Sequence, residues 1–369
     1  MANEKNIKIF SFFSGCGFLD LGFEANGYDI VLVNEFSPSF LNAYRYAREQ
    51  MGLKKPKYGY YNIDVNEFIQ DRTEELERYI DDARCDGSIV GFIGGPPCPD
   101  FSVAGKQRGR EGDNGKLSMS YIQLIIRHQP DFFLFENVKG LWKTARHREY
   151  YEELKNLLHK AGYEMTERLT NAIEFGTPQD RDRILLFGVN LNFENHRNIT
   201  DFPWTKHIKY NWNEVRNLSW PTQEDFVEDA KRTKPRDVPE ELTVQYWFDK
   251  NDVEHHPNSG DCFVPRAGLE KMKRVAEGDV SKKSHKRLHR WRYSPTAAYG
   301  NNEVHLHPYK ARRLTVAEVL SIQSLPKEFV LPPNMSLTDK FKTVGNGVPF
   351  LLANGIAKTI RDFFKLSAK

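Results

Sequence analysis

The chain has few cysteines and no long apolar run, and each absence narrows what it can be. Its 369 residues include four cysteines, Cys16, Cys85, Cys98 and Cys262, without the paired spacing of a zinc site or a disulfide framework. No apolar run reaches the length of a membrane span, and the polar start at residues 1–5 is not a secretory signal. We therefore expect a soluble, cytoplasmic protein without a bound metal.

The order of periodic segments indicates two domains. Strand and helix patterns alternate from Lys8 to about Val189, which is typical of a parallel sheet with helices on both faces. Residues 191–290 show no steady period, and no internal repeat or low-complexity tract is present. Helical patterns return at Leu314 to Gln323 and at about Phe350 to Phe364. A length of 369 residues is comfortable for two domains.

A cysteine stands in a proline-rich loop directly after an apolar strand. The run Phe92 to Ser102 contains two glycines that free the backbone to turn and three prolines that fix φ around Cys98. Its thiolate could attack an electrophile if Lys106 or Arg108 supplies positive charge. The alternative from this segment alone is a buried structural cysteine at a proline turn.

Two further segments place polar side chains near that loop. Asp131 to Val138 reads as a buried strand, and ligands of open α/β sheets gather at the carboxyl ends of strands. Glu136 is therefore predicted to point toward the crevice that holds Cys98. Arg181 and Arg183 precede the apolar strand Ile184 to Val189, although alternation with acids also suits a solvated surface pair.

The amino-terminal segment indicates a nucleotide-like cofactor. Strand Lys8 to Phe13 is followed by a turn containing Gly15 and Gly17, and helix begins near Leu19. The next strand ends at Glu35, where an acid can accept hydrogen bonds from ribose hydroxyls. The glycine spacing does not fit the nicotinamide fingerprint, which favours an adenosine-containing cofactor without a pyrophosphate.

Basic residues are concentrated in one late segment. Residues 271–313 hold twelve Lys or Arg against three Asp or Glu, interleaved with aromatic and histidine side chains. Such a cluster suits phosphate contacts, while a solvated charged face is the alternative.

Taken in order, these motifs resemble those of the DNA cytosine-5 methyltransferases. The resemblance covers residues 8–190 and 310–362, and the stretch between them is variable in that family. Two positions depart from it, because Phe18 stands where a second glycine is common and Pro99 where glutamine usually follows the cysteine. The matching segments are Phe13-Ser14-Gly15-Cys16-Gly17, Glu35, Asp64, Pro96-Pro97-Cys98, Glu136-Asn137-Val138, Gln179-x-Arg181-x-Arg183 and Gly345-Asn346-Gly347-Val348-Pro349.

The resemblance implies a fold, a cofactor and a partner. The fold would be an α/β S-adenosylmethionine-dependent methyltransferase domain, a Rossmann-like, parallel-rich sheet over residues 1–195 and 335–369. An irregular target-recognition domain would occupy residues 196–334. The partner would be double-stranded DNA, bound by a monomer, with a cognate restriction endonuclease as a genetic partner.

The resemblance also implies the residues of each site. Cys98 would add to carbon 6 of a flipped-out cytosine, Glu136 would contact ring nitrogen 3, Arg183 would hold the ring oxygen, and Arg181 would support the loop. The implied cofactor-binding residues are Phe13, Gly15, Gly17, Glu35, Phe36, Asp64, Val65, Pro96, Leu117, Asn346 and Val348. The expected DNA-binding residues are Ser102, Lys106, Lys282, Lys283, Lys286 and Arg287.

Three alternatives are weighed against this interpretation. A related tRNA cytosine-5 methyltransferase shares the motifs but carries a Cys-Phe-Thr triplet where this chain has Cys262-Phe263-Val264. A catalytically dead binding module would lack the cysteine or the glutamate, and a nicotinamide oxidoreductase is disfavoured by the glycine spacing. The recognition sequence cannot be predicted, because loops between about residues 196 and 300 would read the bases.

Overall fold

A computed structural model describes residues 6–97, 113–193, 198–264, 268–282, 284–297, 299 and 304–365. The predicted nucleophile Cys98 lies outside the described residues. So do three predicted DNA contacts, Ser102, Lys106 and Lys283.

A seven-stranded sheet organises the larger part of the described chain, in the order β3-β2-β1-β4-β5-β7-β6. Strand β7 runs antiparallel to both β5 and β6, while the other pairs are parallel. Strands β1 and β4 are buried along their whole length, as expected for central strands covered on both faces. The strands are β1 Ile7–Phe12, β2 Asp29–Asn34, β3 Tyr60–Tyr61, β4 Ile89–Gly94, β5 Phe132–Val138, β6 Tyr163–Asn171 and β7 Asp182–Asn190.

Helices cover both faces of this sheet and form two apolar cores. One core includes residues of α1, α2 and α12, and the other includes residues of α3, α4 and α6. The helices of this part are α1 Phe18–Glu24, α2 Pro38–Gln50, α3 Thr73–Arg84, α4 Asp113–His128, α5 Lys139–Lys143, α6 Ala145–Lys160 and, after the elements given below, α12 Phe350–Lys365.

The predicted parallel-rich sheet with helices on both faces is confirmed, but two predicted elements differ. The sequence predicts a strand over Tyr60 to Val65, but only Tyr60 and Tyr61 pair, because Asp64 caps a 3-10 helix over Val65–Phe68. The sequence also predicts a helix over Asn66 to Asp82, whereas the α-helix spans Thr73–Arg84.

Short elements make up the middle of the chain. A third core joins α10 and α11 to residues of α1 and α2, and two small clusters lie among residues 173–306. The elements are α7 Trp212–Val215, α8 Val244–Lys250, α9 Leu269–Lys273, β8 Lys286–Arg287, β9 His305–Leu306, α10 Val316–Ile322 and α11 Leu337–Asn346, with β8 parallel to β9.

The predicted start of the second domain at residue 196 does not match the packing. Phe202 stacks on Phe187 of β7 at 4.3 Å between ring centroids and lies 5.4 Å from Phe363 of α12. Ile199 belongs to the same core. These residues therefore pack with the sheet, although we predicted them in the target-recognition domain.

The described ranges contain neither a candidate membrane span nor a metal-binding cluster. Among those residues, no helix is both long and apolar enough to cross a membrane. In the same part of the chain, no group of three or more His, Cys, Asp or Glu side chains is placed to hold a metal ion.

Candidate active site and cofactor pocket

The turn after β1 is tight and strained. Gly15 and Gly17 have φ of 55° and 79°, and Phe13 has φ of 53°, a left-handed value that a bulky residue rarely adopts. The amide of Gly17 donates to the carbonyl of Ser14 at 2.8 Å. The turn therefore presents its backbone to the crevice at the carboxyl ends of the strands.

Glu35, at the end of β2, is fixed by that turn. Its carboxylate accepts hydrogen bonds from the amides of Gly15 and Ser37, each at 2.8 Å. Each oxygen keeps further acceptor capacity, since a carboxylate has about four lone-pair positions. Burial raises the pKa of Glu35, and the two amide donors oppose that shift.

An exposed aromatic ring stands beside this carboxylate. Phe36 is 69% exposed, although large apolar side chains are usually buried. The Asn62 amide donates to the carbonyls of both Glu35 and Phe36 at 2.8 Å, which holds the backbone there. An ordered, exposed ring next to a fixed acid is suited to stack on a planar ligand.

Asp64 extends the same row of polar groups. Its Oδ1 accepts from the backbone amide and the side chain of Asn66, at 2.9 and 2.8 Å. Among the described residues, the hydrogen bonds to Asp64 reach this oxygen alone, so Oδ2 can accept from an amine. Val65 beside it is buried.

The other predicted pocket residues come from three segments. Pro96 is buried after β4, and Leu117 is half-buried on α4. Asn346 is exposed at the end of α11, and Val348 is buried in the connection to α12. Phe13 packs edge-on against Tyr121 of α4, with ring centroids 6.0 Å apart.

A buried ion pair lies where β5 and β7 run side by side. Glu136 Oε1 is 2.5 Å from Arg183 Nε, and the two side chains are 9% and 7% exposed. Register brings them together, because Val138 pairs with Arg183 and Glu136 with Leu185. Glu136 and Arg183, each predicted to contact the base, thus contact one another.

The loop after β4 approaches this pair closely. A Cβ on Gly95 would lie 2.6 Å from Glu136 Oε2, and one on Gly94 would lie 2.8 Å from the Tyr121 ring. Neither glycine has a positive φ. Our expectation that they free the backbone to turn is therefore wrong, since they are needed for close approach.

Two effects oppose each other at Glu136. Burial raises the pKa of its carboxyl group, and the charge of Arg183 acts in the opposite direction without cancelling it. A buried carboxyl group with a raised pKa is suited to share a proton with a ring nitrogen. Asn137 next to it donates to the carbonyl of Pro96 at 3.5 Å, which ties the strand end to the loop.

Similarity to known proteins identifies the family of the chain. The profile of the C-5 cytosine-specific DNA methylase family matches residues 7–362. The chain belongs to this family. It is 54% identical over 364 residues to the Type II methyltransferase M.NmeDI of Neisseria meningitidis serogroup C, covering 98% of this chain and 85% of that protein.

Solved structures share the fold of this DNA methylase. A DNA modification methyltransferase encoded within a prophage of E. coli superposes with a TM-score of 0.62 at 20% identity, covering 98% of this chain and all of that one. The Dnmt2 methyltransferase of S. pombe superposes with a TM-score of 0.61 at 15% identity, covering 97% and 99%. The chain is a DNA cytosine-5 methyltransferase, and the methyl donor of such enzymes is S-adenosylmethionine.

The row of residues at the ends of β1, β2 and β3 fits S-adenosylmethionine. Glu35 can accept from two ribose hydroxyls, Phe36 offers a free face to adenine, and Asp64 Oδ2 can accept from an exocyclic amine. The open backbone at Gly15 leaves room for close approach, since nothing lies within 4 Å of a Cβ placed there.

Arg181 connects three parts of this methylase. It is 2% exposed and donates to the carbonyls of Ala297 at 2.8 Å and Gly345 at 2.7 Å. The first carbonyl belongs to the predicted target-recognition region and the second adjoins Asn346. Arg181 therefore ties these two segments together, while its Nε has no hydrogen-bond partner among the described residues.

Two buried side-chain amides, Gln179 and Gln323, lie in the same network of hydrogen bonds as Arg181, and the sequence analysis assigned them no role. Gln179 is fully buried, accepts from the amide of Ala297 at 3.0 Å, and donates to Gln323 Oε1 at 3.2 Å. Gln323 in turn donates to the carbonyl of Val344 at 2.6 Å. Gln179 lies in a quoted motif, but only the fold reveals its partners.

Arg48 was also missed. It is 1% exposed and donates to the carbonyls of Cys16 and Gly17 at 3.1 and 2.6 Å, while pairing with Glu24 at 2.8 Å. These hydrogen bonds hold the backbone of the turn after β1 in place. The available signal was an arginine on the apolar face of α2, four residues after Tyr44.

The side chains predicted to contact phosphates differ in their exposure to solvent. Lys282 is exposed and Lys286 is half-buried in β8. Arg287 is fully buried, so the prediction that it contacts a phosphate is wrong. Its guanidinium group lies 3.8 Å from the Phe226 ring centroid and donates to the backbone carbonyls of Met272, Val275, His307 and Lys310.

Proposed function

We propose that the enzyme methylates carbon 5 of a cytosine flipped out of a specific duplex DNA sequence, through a covalent adduct with Cys98. The observation that carries this proposal is the buried contact between Glu136 and Arg183 beside the glycine-rich start of the Cys98 loop. A flipped base costs roughly a few kcal/mol of stacking and pairing, and such a dry polar pocket can receive it.

Each polar group meets a different part of the base. The Cys98 thiolate adds to carbon 6, which breaks the aromatic ring and makes carbon 5 nucleophilic. Glu136, protonated or sharing a proton, withdraws charge through ring nitrogen 3, and Arg183 holds the ring oxygen. Carbon 5 would take the methyl group from the sulfonium of the bound cofactor, which would leave as the neutral thioether, and loss of the carbon 5 proton to water would then expel the thiolate.

The cofactor supplies an electrophilic methyl group when it is bound. Glu35 would take the ribose hydroxyls, Phe36 would stack on adenine, and Asp64 would accept from the adenine amine. The remaining pocket residues would line the space around them, namely Phe13, Gly15, Gly17, Val65, Pro96, Leu117, Asn346 and Val348.

We place DNA in a cleft between the sheet-bearing part and a target-recognition part, with Ser102, Lys106, Lys282, Lys283 and Lys286 near phosphates. The recognition part would begin after about residue 208 rather than at 196, because Ile199 and Phe202 pack with the sheet. Its end at 334 stays a prediction. The enzyme would act as a monomer in the cytoplasm, as the modification partner of a restriction endonuclease.

One assay separates this function from the tRNA alternative. The enzyme is incubated with tritiated S-adenosylmethionine and either unmethylated plasmid DNA or unmodified tRNA. We expect label in DNA alone, and bisulfite sequencing of the product should give one methylated motif. Label in tRNA alone would support the alternative, and label in neither would reject both.

A further inference from the structure

Gly347 touches Phe18 so closely that no side chain fits between them. A Cβ on Gly347 would lie 2.2 Å from Cδ2 and 2.6 Å from Cε2 of the Phe18 ring. The backbone of Gly347 has φ of −63° and ψ of 152°, which any residue adopts. Space, not backbone conformation, therefore requires glycine at this position.

The ring of Phe18 is held on its other sides. Phe18 is 2% exposed and packs edge-on against Phe329, with ring centroids 5.2 Å apart. It directly follows Gly17, where a Cβ would lie 2.4 Å from the Tyr44 ring. An added methyl group at residue 347 must consequently displace the backbone of that segment, since the ring cannot yield.

This contact lies between two walls of the proposed cofactor pocket. Gly347 separates Asn346 from Val348, and Phe18 is the first residue of α1 after the glycine turn. The walls come from opposite ends of the chain, so their separation depends on how these segments pack. Cys16 and Val344 belong to one apolar core, which joins the same two segments.

We propose that the Phe18–Gly347 contact is a positioning device that sets the separation of the two walls of the S-adenosylmethionine pocket. The proposal rests on the cofactor residues assigned above. It also gives a physical reason for phenylalanine where a second glycine is common in the family, because the ring fills the space that Gly347 leaves open.

The test combines a crowded variant with its compensating change. Gly347→Ala should weaken S-adenosylmethionine binding by about tenfold, measured by titration calorimetry without DNA, because overpacking of this size displaces the backbone. Turnover at saturating cofactor should change less. Phe18→Leu combined with Gly347→Ala should restore affinity to within about threefold of the parent, since the two changes share one contact.

Gly355 on α12 offers a matched control. A Cβ there would lie 2.1 Å from the Phe175 ring, so the crowding is equal, but the site is outside the proposed pocket. Gly355→Ala should lower the melting temperature and leave cofactor affinity unchanged. Equal weakening by both alanines, or no rescue by Phe18→Leu, would overturn the proposal.

Two further variants keep the outcome decisive. If Gly347→Ala does not fold, Phe18→Leu is tested alone. An unchanged dissociation constant of Phe18→Leu for S-adenosylmethionine would then overturn the positioning role. Glu35→Ala tests the pocket itself and should weaken binding strongly. If Glu35→Ala binds S-adenosylmethionine as the parent does, the assigned pocket is rejected. If Glu35→Ala binds weakly but Gly347→Ala binds normally, the pocket stands and only the positioning role of the Phe18–Gly347 contact is rejected.

Discussion

At the scale of single residues, Glu136 has the surroundings that matter most for the chemistry. Burial raises the pKa of its carboxyl group, so the protonated form persists to higher pH than in water. As the pH rises through that raised value, the group loses the proton it would share with ring nitrogen 3. Turnover should therefore fall on the alkaline side of its pH profile.

Glu136→Gln tests this assignment. The amide cannot titrate, so we expect turnover to fall by about a hundredfold at the optimum and the alkaline limb due to residue 136 to disappear. Glu174→Gln is the matched control, because Glu174 is also buried and paired with an arginine, Arg168, at 2.6 Å. A Glu136→Gln enzyme with the parent pH profile would contradict the role.

For Arg287 we predict an effect on stability and none on catalysis or DNA binding. Arg287→Ala removes the donor to four backbone carbonyls, two of them in buried hydrogen bonds, which should lower the free energy of unfolding by about 2 kcal/mol or more in urea titrations. Salt dependence of DNA binding should stay unchanged. If Arg287→Ala is as stable as the parent and its DNA binding depends less steeply on salt, Arg287 contacts a phosphate after all.

At the scale of secondary-structure elements, the chemistry-bearing strands were predictable and the close contacts were not. Strand β5 was expected from Asp131 and begins at Phe132, because a continuous apolar run marks a strand buried on both faces. The antiparallel pairing that joins Glu136 to Arg183 has no local signal. The short β3 was overestimated, since the capping side chain of Asp64 competes with strand pairing.

Gly95→Ala tests the close approach of the loop after β4. Its Cβ would lie 2.6 Å from Glu136 Oε2, so turnover should fall at least about tenfold while cofactor affinity is retained. Gly91→Ala on the same strand is the control, because its Cβ would lie 2.1 Å from the Phe132 ring. Both are assayed well below their melting temperatures. Normal turnover in Gly95→Ala would show that the loop is not set by this contact.

At the scale of the whole molecule, the buried residues Arg181 and Arg183 link the regions that would contact the base, the cofactor and DNA. Arg181, just before β7, joins Ala297 to Gly345, and Arg183 on β7 contacts Glu136. This long-range organisation could not be predicted from sequence, because its partners are backbone carbonyls more than a hundred residues away. The motif order alone was enough to place the family.

Phosphate contacts should appear in the salt dependence of DNA binding. Replacing Lys282 and Lys283 by glutamine should make the slope of log affinity against log salt less negative by about 0.9 per lost contact, without changing the methylated motif. Lys54→Gln is the control, because its exposed side chain pairs with Asp29 at the amino end of β2, away from the carboxyl ends of the strands. New methylation sites with an unchanged slope would instead indicate base reading.

The central claim, a covalent Cys98 adduct on carbon 6, is tested most directly with DNA amplified in the presence of 5-fluoro-deoxycytidine triphosphate. Fluorine replaces the proton that must leave, so the enzyme should remain attached to the DNA. We predict a complex that survives denaturing electrophoresis, requires S-adenosylmethionine, and is absent in Cys98→Ser. An enzyme that methylates ordinary DNA yet forms no such complex would contradict the account.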